Sequence, residues 1–181
     1  GAAFCTTVPG MDCPYDVATL SKASDAGLMG DPSSVAFTVG GLSALFVDRQ
    51  NHVVREIEIV SGNLTTVAGD GTAGYADNPC DEGIWARRCP EGGVRGEDAR
   101  FDRPYGIAVA RLPSGIAAIV TDWGNNRVRK LELDIRRGTV TTLAGSGAAA
   151  STDGLGLAAA FNGPGGVAVS PDGGLALVAE T

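Results

Sequence analysis

Residues 120–133 read VTDWGNNRVRKLEL, and this stretch decides the fold of the chain. A run of β-formers ends in an acid, a turn rich in Gly and Asn follows, and a second run alternates in character, which predicts a β-hairpin. A diverged copy, FVDRQNHVVREIEI, stands at residues 46–59, and the first half of a third, LVAET, stands at residues 177–181. A unit repeated at this spacing predicts an array of small antiparallel sheets.

The second strand of each full copy alternates with period two. Arg55, Ile57 and Ile59 share one face in the first copy, and the glutamates between them take the other. Arg129, Leu131 and Leu133 do the same in the second copy. A further strand follows each, LTTVAG at 64–69 and VTTLAG at 140–145, so each full unit is predicted to have four strands.

The spacing of the copies predicts how the chain is divided. The connection after the first unit is 16 residues longer than the one after the second, which indicates an insertion. We predict an unrepeated segment at 1–27, a first unit at 28–77, an insertion at 78–93, a second unit at 94–145 and a partial third unit at 146–181.

Together these motifs resemble NHL-repeat β-propellers and are similar to the related YWTD-type propellers. The resemblance rests on FDRPYGIAV at 101–109 and FNGPGGVAV at 161–169, on the two Asp-x-x-Asn turns, and on the Thr-Thr-x-Ala-Gly strands. It implies an all-β fold of four-stranded antiparallel blades around an axis, often with a binding surface on one face. A ring closes with about 4–8 blades. We therefore expect either that the polypeptide continues beyond Thr181 with further blades or that neighbouring subunits cover its open flank.

Polar residues recur at fixed positions in the repeat. An acid before an Asn-rich turn can accept backbone N–H groups and hold that turn, so we interpret it as structural rather than catalytic. The Arg of the following strand is expected to pair with carboxylates or carbonyls between blades. We interpret His52 as a turn residue, and Trp85 and Trp123 as packing residues. The repeated positions are Asp48, Asn51 and Arg55, then Asp122, Asn125 and Arg129, then Glu180.

The four cysteines stand in two close pairs, Cys5 with Cys13 and Cys80 with Cys89. Four cysteines allow three pairings, and two short local disulfides are the simplest. A zinc cluster and free thiols are the other readings. The gaps of seven and eight residues differ from the short spacing of zinc knuckles, so we predict disulfides.

Residues 63–65, Asn-Leu-Thr, form an N-glycosylation acceptor, and we expect a glycan at Asn63. The tripeptide falls in the hairpin between a unit's third and fourth strands, at its outer edge. Together with paired cysteines, this favours an extracellular or cell-surface protein. The formal net charge of −7 disfavours nucleic acid as a partner, and no apolar run is long enough for a membrane span.

Three functions fit these observations. The first is a secreted or cell-surface scaffold, or a protein- or glycan-binding module, that performs no chemistry and works alone or as a subunit of an extracellular assembly. Its partner would be a protein or a neighbouring subunit. The second is a metal-dependent propeller enzyme, lyase- or lactonase-like, with its catalytic residues largely in blades not present. The third is an intracellular NHL interaction module. The single histidine is poor material for a metal site, so we favour the first and predict no cofactor, metal ligand or catalytic residue.

Overall fold

The structure is a computed structural model that describes residues 29–77, 96–113, 115–133 and 138–180. Within these ranges the chain is all-β, with antiparallel strands in three sheets and three short 3-10 helices. The short helices are Gly96–Asp98, Trp123–Asn125 and Gly156–Ala158. The segment 1–27, the insertion 78–93, the four predicted disulfide cysteines and Trp85 lie outside the described residues. The bounds of the five predicted segments stay predictions.

Two sheets of four strands each follow the order of the sequence. The first contains β1 (Pro32–Phe37), β2 (Ser43–Asp48), β3 (Val53–Glu58) and β4 (Leu64–Ala68). The second contains β5 (Pro104–Leu112), β6 (Gly115–Asp122), β7 (Arg127–Glu132) and β8 (Val140–Ala144). The third sheet has two strands, β9 (Pro164–Val169) and β10 (Ala176–Glu180). The predicted fold class of two full blades and half of a third is therefore confirmed.

The sheets repeat in register as well as in strand order. The first strand of each begins with a proline that pairs with the repeat's acid: Pro32 with Asp48, Pro104 with Asp122 and Pro164 with Glu180. Each of these pairs is followed by a shift in register, which bends the strand locally. Proline is tolerated there because the first strand lies at the edge of its sheet.

One apolar core joins the two full sheets. Its buried residues include aliphatic side chains from β2, β3, β6 and β7, one residue each from β4, β5 and β8, and Ala99 and Phe101 from the connection between the sheets. Leu131 is fully buried and Leu133 nearly so, on the same face as the buried Arg129. Burial of each large aliphatic side chain stabilises the fold by about 1.5–3 kcal/mol. In the first sheet the predicted face is shorter, because β3 ends at Glu58 and Ile59 lies just past it.

The first strands of the three sheets lie side by side. Ser33 Oγ in β1 donates to the carbonyl of Tyr105 in β5 at 2.7 Å. In β5, the N–H of Gly106 donates to Thr121 Oγ1, which itself donates to the carbonyl of Gly165 in β9. A Cβ on Gly106 would lie 2.4 Å from that carbonyl oxygen, so glycine is required for this approach. These contacts place β1, β5 and β9 around a common axis, as in a propeller.

No helix in the described ranges is long and apolar enough to cross a membrane.

Candidate functional site

Asp48, the first acid of the repeat, is completely buried at the end of β2. Its carboxylate accepts hydrogen bonds from the backbone N–H of Gly30 at 3.2 Å and of Asn51 at 3.3 Å. It also accepts from Asn51 Nδ2 at 2.8 Å and from Arg55 Nε at 3.2 Å. These donors come from the turn after the acid, from β3 and from the chain just before β1, so the carboxylate ties the three together.

Asp122 repeats this arrangement in the second sheet. It accepts from the N–H of Asp102 at 2.8 Å, from Asn125 Nδ2 at 2.9 Å and from Arg129 Nη1 at 2.6 Å. Burial raises the pKa of the Asp122 carboxyl, and the Arg129 guanidinium and the other donors act in the opposite direction.

Arg129 is fully buried and uses all three of its nitrogens as donors. Nη1 also donates to the carbonyl of Arg100 at 3.0 Å, and Nη2 donates to the carbonyl of Ala76 and to Asp77 Oδ1, each at 2.7 Å. Nε donates to the same Asp77 oxygen at 3.1 Å. The ring of Phe101 lies 5.1 Å from the guanidinium carbon. This side chain ties the connection between the sheets to β7, and it is closed to any ligand.

Glu180, the third acid, is exposed. Its carboxylate accepts from the N–H of Asn162 at 3.0 Å and from Ser151 Oγ at 2.8 Å. These two donors hold its pKa below the ordinary value. In all three sheets, therefore, a backbone N–H from the segment before the first strand reaches the acid of the second strand.

A cleft of different character opens between the first two sheets, where the β2–β3 turn faces the start of β5. It consists of two adjoining pockets of about 270 and 250 Å³ that share Arg49 and Arg103. The other residues lining the first pocket are Asp31, Gln50 and His52. Tyr105 and Trp123 complete the second. We call this the Arg49–Arg103 cleft.

An unusual backbone shapes the cleft. His52 and Arg103 have φ values of 57° and 49°, in the left-handed region that side chains seldom adopt. The backbone N–H of Arg103 donates to His52 Nδ1 at 3.0 Å, which links the two strained positions. Because Nδ1 is the acceptor, the neutral imidazole carries its proton on Nε2. The hydrogen bond thus fixes the loop that presents the Arg103 side chain.

Both guanidinium groups of the cleft are held in place and yet remain open. Arg103 lies 4.7 Å above the Trp123 ring, and its Nε donates to Asp102 Oδ1 at 3.2 Å. Arg49 lies 5.8 Å from the Tyr105 ring, and its Nε is 3.2 Å from Asp31 Oδ2. Their side chains are 49% and 41% exposed.

Both half-exposed guanidiniums belong to residues that line the cleft. Neither Arg49 nor Arg103 donates a hydrogen bond from its terminal nitrogens to any residue that the structure describes. Such a pair of N–H groups matches the two oxygens of a carboxylate or phosphate. The cleft therefore offers two anion-binding forks above aromatic rings.

Of the repeated polar residues, Asp48, Asn51 and Arg55 come together in the first sheet, Asp122, Asn125 and Arg129 in the second, and Glu180 lies in the third. None of these seven lines the cleft, whereas His52, interpreted as a turn residue, lies in the turn and does line it. Arg49, Arg103 and Tyr105 were missed, and Trp123, interpreted as a packing residue, is half-buried beneath Arg103. A signal for them exists in the repeat. Arg49 and Trp123 hold the same repeat position, and Arg103 and Tyr105 stand where the third copy has Gly163 and Gly165. A position at which the copies differ within an otherwise repeated motif is one that the repeat does not need for its structure, so its side chain is available for binding.

In the described part of the chain, no group of three or more His, Cys, Asp or Glu residues is placed to hold a metal ion.

The register, the converging first strands and the repeated acids define the class: this chain has an NHL-like β-propeller fold. No protein-family profile and no curated protein match it. An auxiliary nutrient binding protein from Bacteroides thetaiotaomicron matches with a TM-score of 0.62 and 22% identity over 81% of this chain and 34% of its own length. A second auxiliary nutrient binding protein, from Bacteroides ovatus, gives 0.57 and 21% over 75% and 31%.

Hydrazine synthase from Kuenenia stuttgartiensis also matches, with a TM-score of 0.50 and 16% identity over 85% of this chain and 31% of its own length. This chain therefore spans about a third of the length of these proteins. Since they include both binding proteins and an enzyme, and their identities are low, the similarity establishes the fold alone.

Proposed function

We propose that this propeller is a non-catalytic binding module and that its ligand binds in the Arg49–Arg103 cleft. The observation that carries the proposal is a pair of half-exposed arginines that line the cleft and whose terminal nitrogens donate to no described residue. Because both guanidiniums are almost half exposed, water can occupy their terminal N–H groups, and a ligand can replace that water without breaking a bond within the described part of the protein. The fold is also that of two auxiliary nutrient binding proteins, and we propose a binding role of the same general kind.

The proposal assigns the buried acids to structure. Asp48 and Asp122 are surrounded by N–H donors, and the donors of Arg129 are consumed by carboxylates and carbonyls. A general acid or base needs access to a substrate proton, which these buried carboxylates lack. Asp48 and Asp122 thus hold the turns that position the cleft, and the ligand binds in the cleft itself.

We propose further that the protein acts outside the cell or at its surface. Asn63 lies exposed in the loop between β3 and β4, as a glycan acceptor requires. If Asn63 carries a glycan, the mass of the protein should fall on treatment with an N-glycosidase. If Cys5–Cys13 and Cys80–Cys89 are disulfides, a non-reducing digest should contain the corresponding linked peptides. An unmodified Asn63 together with four free thiols would contradict the location.

A protein partner or a neighbouring subunit is the second proposed contact. Leu155 and Leu157, at the 3-10 helix that packs on β8, are 92% and 62% exposed, and Leu177 in β10 is 66% exposed. Large exposed apolar side chains are typical of an interface when they form one patch. Light scattering of the purified protein, with and without Leu177→Ser, measures whether these residues mediate self-association.

A thermal-shift screen of small molecules and oligosaccharides tests the binding role. The expected result is at least one stabilising ligand whose effect disappears in the double variant Arg49→Ala/Arg103→Ala. Arg111→Ala is the matched control, because Arg111 is exposed near the opposite end of β5. Mass spectrometry of the recovered ligand should show it unchanged. Conversion of the ligand into a product, or stabilisation that ignores both cleft arginines, would overturn the proposal.

A further inference from the structure

We infer that the Arg49–Arg103 cleft binds a uronic acid, a sugar ring that bears one carboxylate. This inference rests on the proposed binding function and names its ligand class. Three features of the cleft support it: the geometry of the terminal N–H donors of the two arginines, the charges around these donors, and the aromatic rings and volume of the two pockets.

The free donors point to a planar, two-oxygen anion. A guanidinium presents two edges, one formed by Nε with a terminal nitrogen and one formed by the two terminal nitrogens. In the cleft, Asp31 and Asp102 take the Nε side of Arg49 and Arg103. The outer edge of each group remains, and its two parallel N–H bonds fit a carboxylate in a bidentate pair.

The charge around the donors favours a single negative charge over a double one. Each cleft arginine already has a carboxylate beside it, and Asp31 is 50% exposed at the rim. A dianionic phosphate would meet these two carboxylates as well as the guanidiniums, and like charges at such distances repel. The formal net charge of −7 also opposes long polyanions. A small monoanion gains the hydrogen bonds with the least repulsion.

Size and lining point to a ring attached to that carboxylate. Tyr105 and Trp123 line the second pocket, and Tyr105 is 39% exposed. Aromatic side chains with a few placed polar groups are typical of small-ligand sites, which commonly measure about 300–1,000 Å³. The two pockets, of about 270 and 250 Å³, lie just below that range. Each is suited to one ring-sized group, with the carboxylate between the arginines that both pockets share.

Calorimetry on the protein with six defined compounds tests the ligand class. They are galacturonate and glucuronate, the neutral sugars galactose and glucose, acetate as a carboxylate without a ring, and inorganic phosphate. We expect at least one uronate to bind at least about tenfold more tightly than its neutral counterpart, since one hydrogen bond to a charged group is worth about that factor. Acetate and phosphate should bind more weakly than that uronate. Equal binding of the neutral sugar, or tighter binding of phosphate, would overturn the inference.

Variants of Arg103 test the forked geometry. Arg103→Ala should weaken uronate binding by about tenfold or more. Arg103→Lys keeps the charge and loses the planar fork, so it should restore little of the affinity. Full recovery with lysine would show that charge alone acts and would contradict the bidentate assignment. Arg111→Ala should bind as the unmodified protein does, and unchanged melting temperatures would show that all variants fold.

This experiment separates the ligand class from the binding role. If neither uronate binds while another compound's stabilisation disappears in Arg49→Ala/Arg103→Ala, the ligand class is wrong and the proposed function stands. If no compound's effect depends on the two arginines, both are wrong.

Discussion

Two regions of this molecule combine arginine, aspartate and an aromatic ring, and they do so with opposite outcomes. In the second sheet, Arg129 is fully buried, and its three nitrogens donate to Asp122, Asp77 and two carbonyls. In the Arg49–Arg103 cleft, each guanidinium is almost half exposed and meets one carboxylate through Nε alone.

This contrast distinguishes polar residues that stabilise a repeat protein from polar residues that can bind a ligand. A buried charge must have every donor satisfied, because an unpaired one costs several kcal/mol. A half-exposed guanidinium can donate to water from the nitrogens that no protein group accepts. If the side chain is also held in a fixed position, a ligand can replace that water. Four variants, taken from the largest expected effect to the smallest, test this contrast.

Arg129→Met should have the largest effect on stability. It leaves the buried Asp122 and the carboxylate of Asp77 without their cation, and breaking such a pair costs about 3–5 kcal/mol. Urea unfolding followed by tryptophan fluorescence measures the change in the free energy of unfolding. Arg111→Met is the control, with no expected change beyond about 0.5 kcal/mol. A loss below about 1 kcal/mol for Arg129→Met would mean that the hydrogen bonds of Arg129 do not stabilise the fold as proposed. Failure of this variant to fold, while the control folds, would agree with the prediction.

Arg55→Met should cost less, about 1–3 kcal/mol. Arg55 is the counterpart of Arg129 in the first sheet and bonds Asp48 and Thr66. The Arg55 side chain is 10% exposed whereas that of Arg129 is fully buried, and removal of Arg129 also takes donors from Asp77 and two carbonyls. The same unfolding experiment gives the comparison. A cost equal to or above that of Arg129→Met would show that the first-sheet network depends on its arginine just as strongly.

Arg103→Met should change the stability by only about 0–1 kcal/mol, the usual range for an exposed ion pair. Its guanidinium is nearly half exposed, and its carboxylate partner Asp102 is a quarter exposed. The free energy of unfolding should thus barely change while ligand stabilisation in the thermal-shift assay disappears. A large stability loss would assign Arg103 to structure and remove the contrast with Arg129.

The smallest effect is expected from the pH dependence of Glu180, the acid of the repeat that pairs with no arginine among the residues that the structure describes. Donors from Asn162 and Ser151 hold its pKa below the ordinary value of 4.5. A depressed pKa in the folded state contributes stability above about pH 4.5 that is lost as the pH falls through the folded pKa. Glu180→Gln should therefore lose less stability than the unmodified protein on acidification from about pH 6 to about pH 3. Parallel pH curves for the two proteins would show that these hydrogen bonds do not favour the charged form.

Much of the fold follows from short-range pattern. The period-two alternation around Arg55 and Arg129 predicts strands, and the match between copies predicts which strands form one sheet. The strands differ from the prediction at their ends. Ile59, for example, is predicted to lie in the strand but follows β3, because the chain turns after Glu58. The strands could be predicted because alternation and turn chemistry depend on only a few neighbouring residues. The repeat shows the same pattern in two copies, which supports each assignment.

Local sequence pattern is sufficient to predict the sheets and the repeated acids, since each acid and its turn lie within four residues of one another. Which arginines are buried and which are exposed depends on tertiary packing. Arg49, Arg103 and Trp123 come from different loops far apart in the chain, and they meet because the first two sheets pack around one core. Burial of a guanidinium depends on what packs over it from elsewhere, and no local pattern encodes that cover.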